Sequence, residues 1–191
     1  MIDDEAFVNA VRVSVGASLA SFGYELAIHG RYTVRFERPG FFVEVNYDAL
    51  RSCELSIRLG EANASTGSPL ELADALRVSE AAEEDVGFAK LMQTSDPDVL
   101  VHLLTRATKL LRGSLGRFLD GDSTQYATAR ALRSQRAARY TLTVRNAPIL
   151  NAADEAWAAK DFDQVHALLN PIRDGLEEPH RRRLAFSERR L

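Results

Sequence analysis

The sequence predicts an α+β fold: an N-terminal helix packed on a four-stranded antiparallel meander, followed by a C-terminal helical array. Three observations carry this. Apolar residues between 4 and 22 recur at helical spacing, four short runs between Tyr24 and Leu59 are rich in β-branched and aromatic residues, and beyond Ser68 helical spacing returns. With 191 residues, 46% of them hydrophobic and 27% charged, the chain can bury a sizeable core. Its length points to one domain, or to a smaller one with a helical extension.

In the first element Phe7, Val8, Val11, Val15, Leu19 and Phe22 fall on one side when each residue turns by about 100°. Asp3 is placed to cap its start and Gly23 to stop it. The runs YELAIH, RYTVRFE, FFVEVNYD and CELSIRL follow, joined by links short enough for hairpins. Tyr32, Val34 and Phe36 alternate with Thr33, Arg35 and Glu37. Cys53, Leu55, Ile57 and Leu59 alternate with Glu54, Ser56 and Arg58, so the sheet has one buried and one wet face. The first helix covers the apolar side.

The turn-rich stretch GEANASTGS, residues 60 to 68, marks the expected division between residues 1–67 and a helical part, 68–191, unless both form one compact domain. Ser68-Pro69-Leu70-Glu71 has the form of a capping box and predicts a helix start. Residues 79 to 93 have weak periodicity and fit strand or helix. Ser95-Asp96-Pro97-Asp98 opens the strongest helix, with Leu100, Leu103, Leu104, Ala107, Leu110, Leu111, Leu115 and Phe118 on one side and Gly121 at its end. Another begins near Ser123. There Ala127, Ala131, Ala138 and Leu142 form a narrow face that a neighbouring helix can approach, and Pro148 separates this helix from the next, residues 149 to 159. Asp161 caps a further helix that Pro171 breaks, and Pro179 starts the last.

Charge is unevenly distributed along the chain, whose formal net charge is −3. Residues 68 to 98 carry eight acids against Arg77 and Lys90; residues 99 to 153 carry nine arginines and lysines against Asp120 and Asp122. Adjacent acidic and basic helices can neutralise each other, or the asymmetry can form a surface for a partner. Three acids near the N-terminus stand where a secretory signal has its basic region, and no apolar run approaches the ~20 residues of a membrane span. A cytoplasmic location and no membrane association are the expectation. The lone Cys53 fits a reducing compartment and reads as a small buried residue on a strand.

No motif forces a reaction. The chain has no HExxH, G-x-S-x-G, Walker A or GxGxxG sequence, and the histidines at 29, 102, 166 and 180 have no metal-ligand spacing. His102 and His166, among leucines and valines, read as partly buried. No catalytic residue, cofactor or metal is expected. Glu44 and Glu54 on the wet sheet face can in principle perform acid–base work, but cross-strand charge pairing on a solvated sheet, which also carries Arg35 and Arg58, explains them without catalysis and is the favoured reading. Phe42 is the aromatic that alternation places on the wet face, beside Glu44, and an aromatic among charges is suited to anchoring an interface. Arg130, Arg133, Arg136 and Arg139 invite a phosphate-binding reading, although steps of three residues spread them over half the helix circumference, as on a solvated face.

Residues 153 to 169, ADEAWAAKDFDQVHALL, resemble half of a tetratricopeptide repeat, without a second copy about 34 residues away. The segments SFGYEL, RYTVRFERPGFFVEVNYDALRSCELSIRLG and AWAAKDFDQVHALLNPI together resemble small bacterial immunity-type proteins, which neutralise toxins by surface binding. That resemblance covers under a third of the chain and carries over no binding residues. The arginine-rich second half departs from the acidic surface expected of a nuclease inhibitor. It implies a non-enzymatic protein-interaction module whose partner is another protein. The alternative is a nucleic-acid-associated regulator that uses the arginine-bearing helix.

Overall fold

The computed structural model describes residues 2–62 and 68–190. The chain forms two compact units, Met1–Arg133 and Ser134–Leu191. The expected boundary stretch overlaps residues 63–67, which lie outside the described residues.

The first unit is α+β, with a five-stranded antiparallel sheet in sequential order. Helix α1 (Asp4–Val11) starts as expected: the Asp3 carboxylate accepts the Ala6 amide at 2.7 Å. A π-turn, Arg12–Gly16, interrupts the helix before α2 (Ala17–Ala20). At this point Gly16 lies against the Phe36 ring, 3.2 Å from where a β-carbon would sit. Gly23, at φ +78°, ends the segment in a conformation that side chains disfavour. Phe7, Val11, Val15 and Leu19 are fully buried, so the predicted stripe faces the core despite the π-turn.

The strands are β1 (Glu25–Gly30), β2 (Thr33–Arg38), β3 (Phe41–Tyr47), β4 (Leu55–Glu61) and β5 (Leu70–Glu71). Their register aligns cross-strand rows by polarity. Val34, Val45 and Ile57 form one row and Phe36, Val43 and Leu59 another, all buried beneath the helices. On the opposite face the rows are Thr33–Asn46–Ser56, Arg35–Glu44–Arg58 and Glu37–Phe42–Gly60. A one-residue slip would exchange these sets, so burial of the apolar rows fixes the pairing.

Several expectations need correction. Tyr32 and Cys53 are not strand residues. Each occupies a turn with positive φ, +57° and +52°, and Cys53 is half-buried. The Tyr32 amide donates to Asp4 Oδ1 at 2.7 Å, and its ring joins Phe7 and Tyr47 in an aromatic cluster. The fifth strand appears where the capping box predicted a helix, because Leu70 pairs with Leu59 and Glu71 with Arg58 along the sheet edge. Leu70 is thereby fully buried, and helix α3 (Leu72–Val78) begins two residues later without a side-chain cap. Burial of Leu70 prevails over a local signal of about 1 kcal/mol.

Residues 79 to 93 resolve as helix α4 (Glu83–Lys90). The strongest predicted helix is α5 (Pro97–Ser114), capped by Asp96, whose carboxylate accepts the Asp98 amide at 2.8 Å. It packs against α1 and the π-turn, and the short α6 (Gly116–Leu119) carries its apolar face on to Phe118. His102 is exposed on α5, not partly buried, because it lies on the side away from Leu100, Leu104 and Leu111.

Helix α7 (Ser123–Ala158) runs through Pro148, which was expected to separate two helices. Within the second unit it is followed by α8 (Phe162–Leu169), which ends just before Pro171 as expected, a 3-10 turn Asn170–Gly175, and α9 (Glu178–Glu188). Asp161 caps α8 through the Gln164 amide at 3.0 Å. The core of this unit is Ala153, Ala156, Val165, Leu169, Leu176 and Leu184, beside an edge-to-face cluster of Trp157, Phe162 and Phe186. The small-residue face of α7 is corrected: Ala127, Ala131, Ala138 and Leu142 are exposed, and Tyr126 and Ala129 are the residues buried in the first unit.

Two stability outcomes follow from the first unit. A β-carbon on Gly60 would lie 2.4 Å from two atoms of the Phe42 ring, so Gly60→Ala is expected to destabilise the protein by about 1–3 kcal/mol in urea unfolding, and Phe42→Leu in the same chain to recover part of it. Burial, partly offset by the neighbouring Arg38 guanidinium, pushes the Tyr24 hydroxyl up from 10.0 to about 12. The folded state therefore holds that proton where the unfolded chain has lost it. Stability contributed by Tyr24 is complete below about pH 10 and is lost as the pH rises to about 12, and Tyr24→Phe should flatten that decline.

Candidate functional site

The residues singled out in the sequence divide between two surfaces. Phe42 is on the outer sheet face, as alternation required, but it is not exposed. The Arg35 guanidinium carbon lies 3.8 Å from its ring centroid and the ring occupies the space above Gly60, leaving Phe42 7% accessible. Its aromatic surface is already covered by its own sheet. Glu44 faces Arg35 at 3.9 Å and accepts the Asn46 carboxamide at 2.9 Å. Glu54 precedes β4, in an isolated bridge to Gln93, so the two glutamates are not brought side by side. The polar face beside them forms an open bowl of about 500 Å³, lined by Thr33, Asn46, Ser56, Arg58 and the turn Asp48–Ser52. The turn is internally satisfied: Asp48 accepts Arg51 and Ser52 amides and the Ser52 hydroxyl.

The four arginines of α7 do not form one solvated face. Arg130 and Glu61 form an ion pair, both half-buried, and Arg133 donates to the Pro69 carbonyl at 2.8 Å. These two hold the start of α7 to the sheet edge. Arg136 is exposed, and Arg139 lies 3.9 Å from Glu177 within the second unit. The set that suggested phosphate binding is thus divided, with its first half serving the fold. The reason is register. Positions 126, 129, 130 and 133 recur at three and four residues, which places both arginines next to the buried Tyr126 and Ala129.

Within the second unit, α7 and the segment 174–181 enclose a cleft of about 960 Å³. The helix lines it with Gln135, Ala138, Arg139, Leu142, Thr143, Asn146 and Leu150, a stripe at intervals of three and four residues. Asp174, Gly175, Leu176, Glu177, Glu178, His180 and Arg181 supply the opposite wall. Local bonds shape that wall. Arg181 donates to the Leu176 carbonyl at 2.7 Å and His180 meets Asp154 at 2.9 Å. Its bond to Arg182, at 2.8 Å, holds the Glu178 carboxyl below the usual carboxylate range. Leu142 remains about half exposed at the mouth.

Asn146 lies at the floor of the cleft: the residue is 8% accessible, and its carboxamide, which makes no hydrogen bond to a described residue, stays within reach of solvent. Its Nδ2 faces Gly175, 3.7 Å from where a β-carbon would lie. Sequence reasoning missed this residue. The available signal was a carboxamide on the stripe Ala138, Leu142, Asn146, Leu150, close to a helix-interior proline.

Among the described residues no group of three or more histidine, cysteine or acidic side chains is placed to hold a metal ion, and no helix is long and apolar enough to cross a membrane. Comparison of the chain with protein-family models, with curated proteins and with solved structures finds no match.

The anchoring of α7 is directly testable. Glu61→Gln leaves the half-buried Arg130 guanidinium without its counter-charge and is expected to lower stability by about 1–3 kcal/mol in denaturant titration. Glu178→Gln, whose pair with Arg182 is exposed, should leave the same titration unchanged.

Proposed function

We propose that the protein is a non-enzymatic interaction module of the immunity type, which binds another protein through the cleft of its second unit and acts by occluding that partner's working surface. The observation that carries this reading is the exposure of a large apolar side chain on α7 in that unit, Leu142, which is 49% accessible; Tyr140, at 72%, and Val144, at 55%, are exposed on the other side of the same helix. Leu142 lies at the cleft itself. Exposed apolar surface flanked by charges, here Arg139 and Glu177, is the composition of a protein-binding site. The resemblance of residues 21–26, 31–60 and 156–172 to immunity-type proteins supports the same reading. Phe42 has no part in it, since its ring is covered within the sheet. The nucleic-acid alternative draws on Arg130 and Arg133, and both are committed to Glu61 and Pro69.

Native capture of the tagged full chain from its own cells, with and without nuclease, tests the reading. One stoichiometric protein that survives nuclease and is lost with Leu142→Arg is the expected outcome. Recovery of nucleic acid that disappears at moderate salt, or a partner indifferent to Leu142→Arg, would refute it.

A further inference from the structure

The two edges of the sheet are not alike. At one, β5 is two residues long and runs directly into α3, which leaves almost no ladder open. At the other, β1 presents six residues that pair only with β2, so its outer row of main-chain groups has no strand beside it among the described residues. We infer that β1 is a self-association edge, at which two copies of this chain pair their β1 strands antiparallel across a two-fold axis. The inference goes beyond the cleft reading and does not rest on it.

The main chain dictates first what fits such an edge. Alternating N–H and C=O groups at the rim of a sheet are matched by another strand. Open edges are ordinarily protected by lysine, proline or inward-pointing charge. The segment ELAIHG has no lysine, arginine or proline, and Leu26 and Ile28 are 37% and 51% accessible. Its protective feature is a bulge between Leu26 and Ile28, where the register with β2 shifts. The bulge shortens the regular run, and a contact of so few residues falls at the small end of interface sizes, which makes the dimer dependent on concentration.

Charge selects a second copy over an unrelated strand. Glu25 lies opposite Glu37 on β2, a like-charge cross-strand pair, and Glu37 already holds Arg35 at 2.7 Å. Glu25 and Arg31, both exposed, form no ion pair with a described residue. Both belong to the outer face of the sheet: Arg31 lines its bowl, and Glu25 aligns with the row Glu37–Phe42–Gly60. Glu25 stands three residues before Ile28 and Arg31 three residues after it. Antiparallel pairing about a two-fold axis at Ile28 therefore brings Glu25 of each copy beside Arg31 of the other, and Ile28 against Ile28. Each carboxylate gains the cation that its own sheet does not supply, twice over by symmetry. A parallel arrangement would set Glu25 beside Glu25.

Sedimentation velocity of the full chain from about 1 µM to about 500 µM reads the association. A monomer–dimer equilibrium is expected, with slowed amide exchange in residues 25–30 at the high end of that range only. Ile28→Lys, at an exposed position, should weaken the dimer about tenfold or more at unchanged Tm. Glu25→Arg, which also relieves the repulsion from Glu37 and so should hold or raise the Tm of the monomer, and Arg31→Glu are each expected to weaken it. The double variant reverses both pairs and should return affinity to within about threefold of the native chain. A chain that stays monomeric throughout, a dimer indifferent to Ile28→Lys, or single charge variants whose losses add in the double variant would overturn the inference.

Discussion

The first unit depends on one cross-strand row at the end of its sheet: Arg38, Phe41 and Glu61, aligned on β2, β3 and β4. The rows before it on the same face are purely apolar and buried. This one is mixed, and each member meets a helix end. Arg38 donates to the Phe22 carbonyl at 3.1 Å and the Leu119 carbonyl at 2.8 Å, satisfying acceptors that α2 and α6 leave unpaired. Phe41 packs on Tyr126, which in turn meets Phe118 edge to face, and Gly121 passes so close to Phe41 that a β-carbon would lie 2.6 Å from the ring. With φ at +80°, Gly121 is suited to that turn on conformational grounds as well. Glu61 holds Arg130. Thus three adjacent side chains join the sheet to the N-terminal helical segment, to α6 and to the start of α7.

The strength of such a row lies in the partners its charged members find. A buried guanidinium or carboxylate without partners is costly, and with them it fixes geometry because few arrangements satisfy all its bonds. Tyr126 illustrates the environment: burial raises its hydroxyl well above the usual tyrosine range, with Tyr24 and Glu61 adding to the effect. In the second unit Asp154 is likewise paired with both His180 and Arg183, and Arg173 with Glu188. Among the described residues the buried side-chain polar atoms without a hydrogen bond are Tyr24 Oη, Arg35 Nε and Arg130 Nε, all in the first unit.

Much of the fold was legible because local and tertiary preferences coincide. Asp3 and Asp96 cap helices whose stripes are buried, and alternation in β2 to β4 identified the inner face correctly. Errors arose where tertiary contacts opposed a local signal. Ser68 to Glu71 has the residues of a capping box, but Leu70 gains more from pairing beside Leu59. Pro148 removes one helical hydrogen bond, yet Leu150, Ala153 and Ala156 beyond it pack on the second core and keep the helix continuous. Phe42 lay on the predicted face, while its cover by Arg35 and Gly60 depends on strand register, which one sequence does not contain. The arginines failed as a group for the same reason, since position relative to Tyr126 decides which of them face inward.

On this account the working surface is the α7 stripe from Ala138 to Asn146 together with residues 174–181, and the sheet is scaffold. The most direct test is an amide chemical-shift map of the ¹⁵N-labelled full chain with its captured partner bound. Shifts concentrated in that cleft are predicted. Shifts confined to Thr33, Asn46, Ser56 and the turn at Asp48, with the cleft silent, would contradict it and return the function to the sheet.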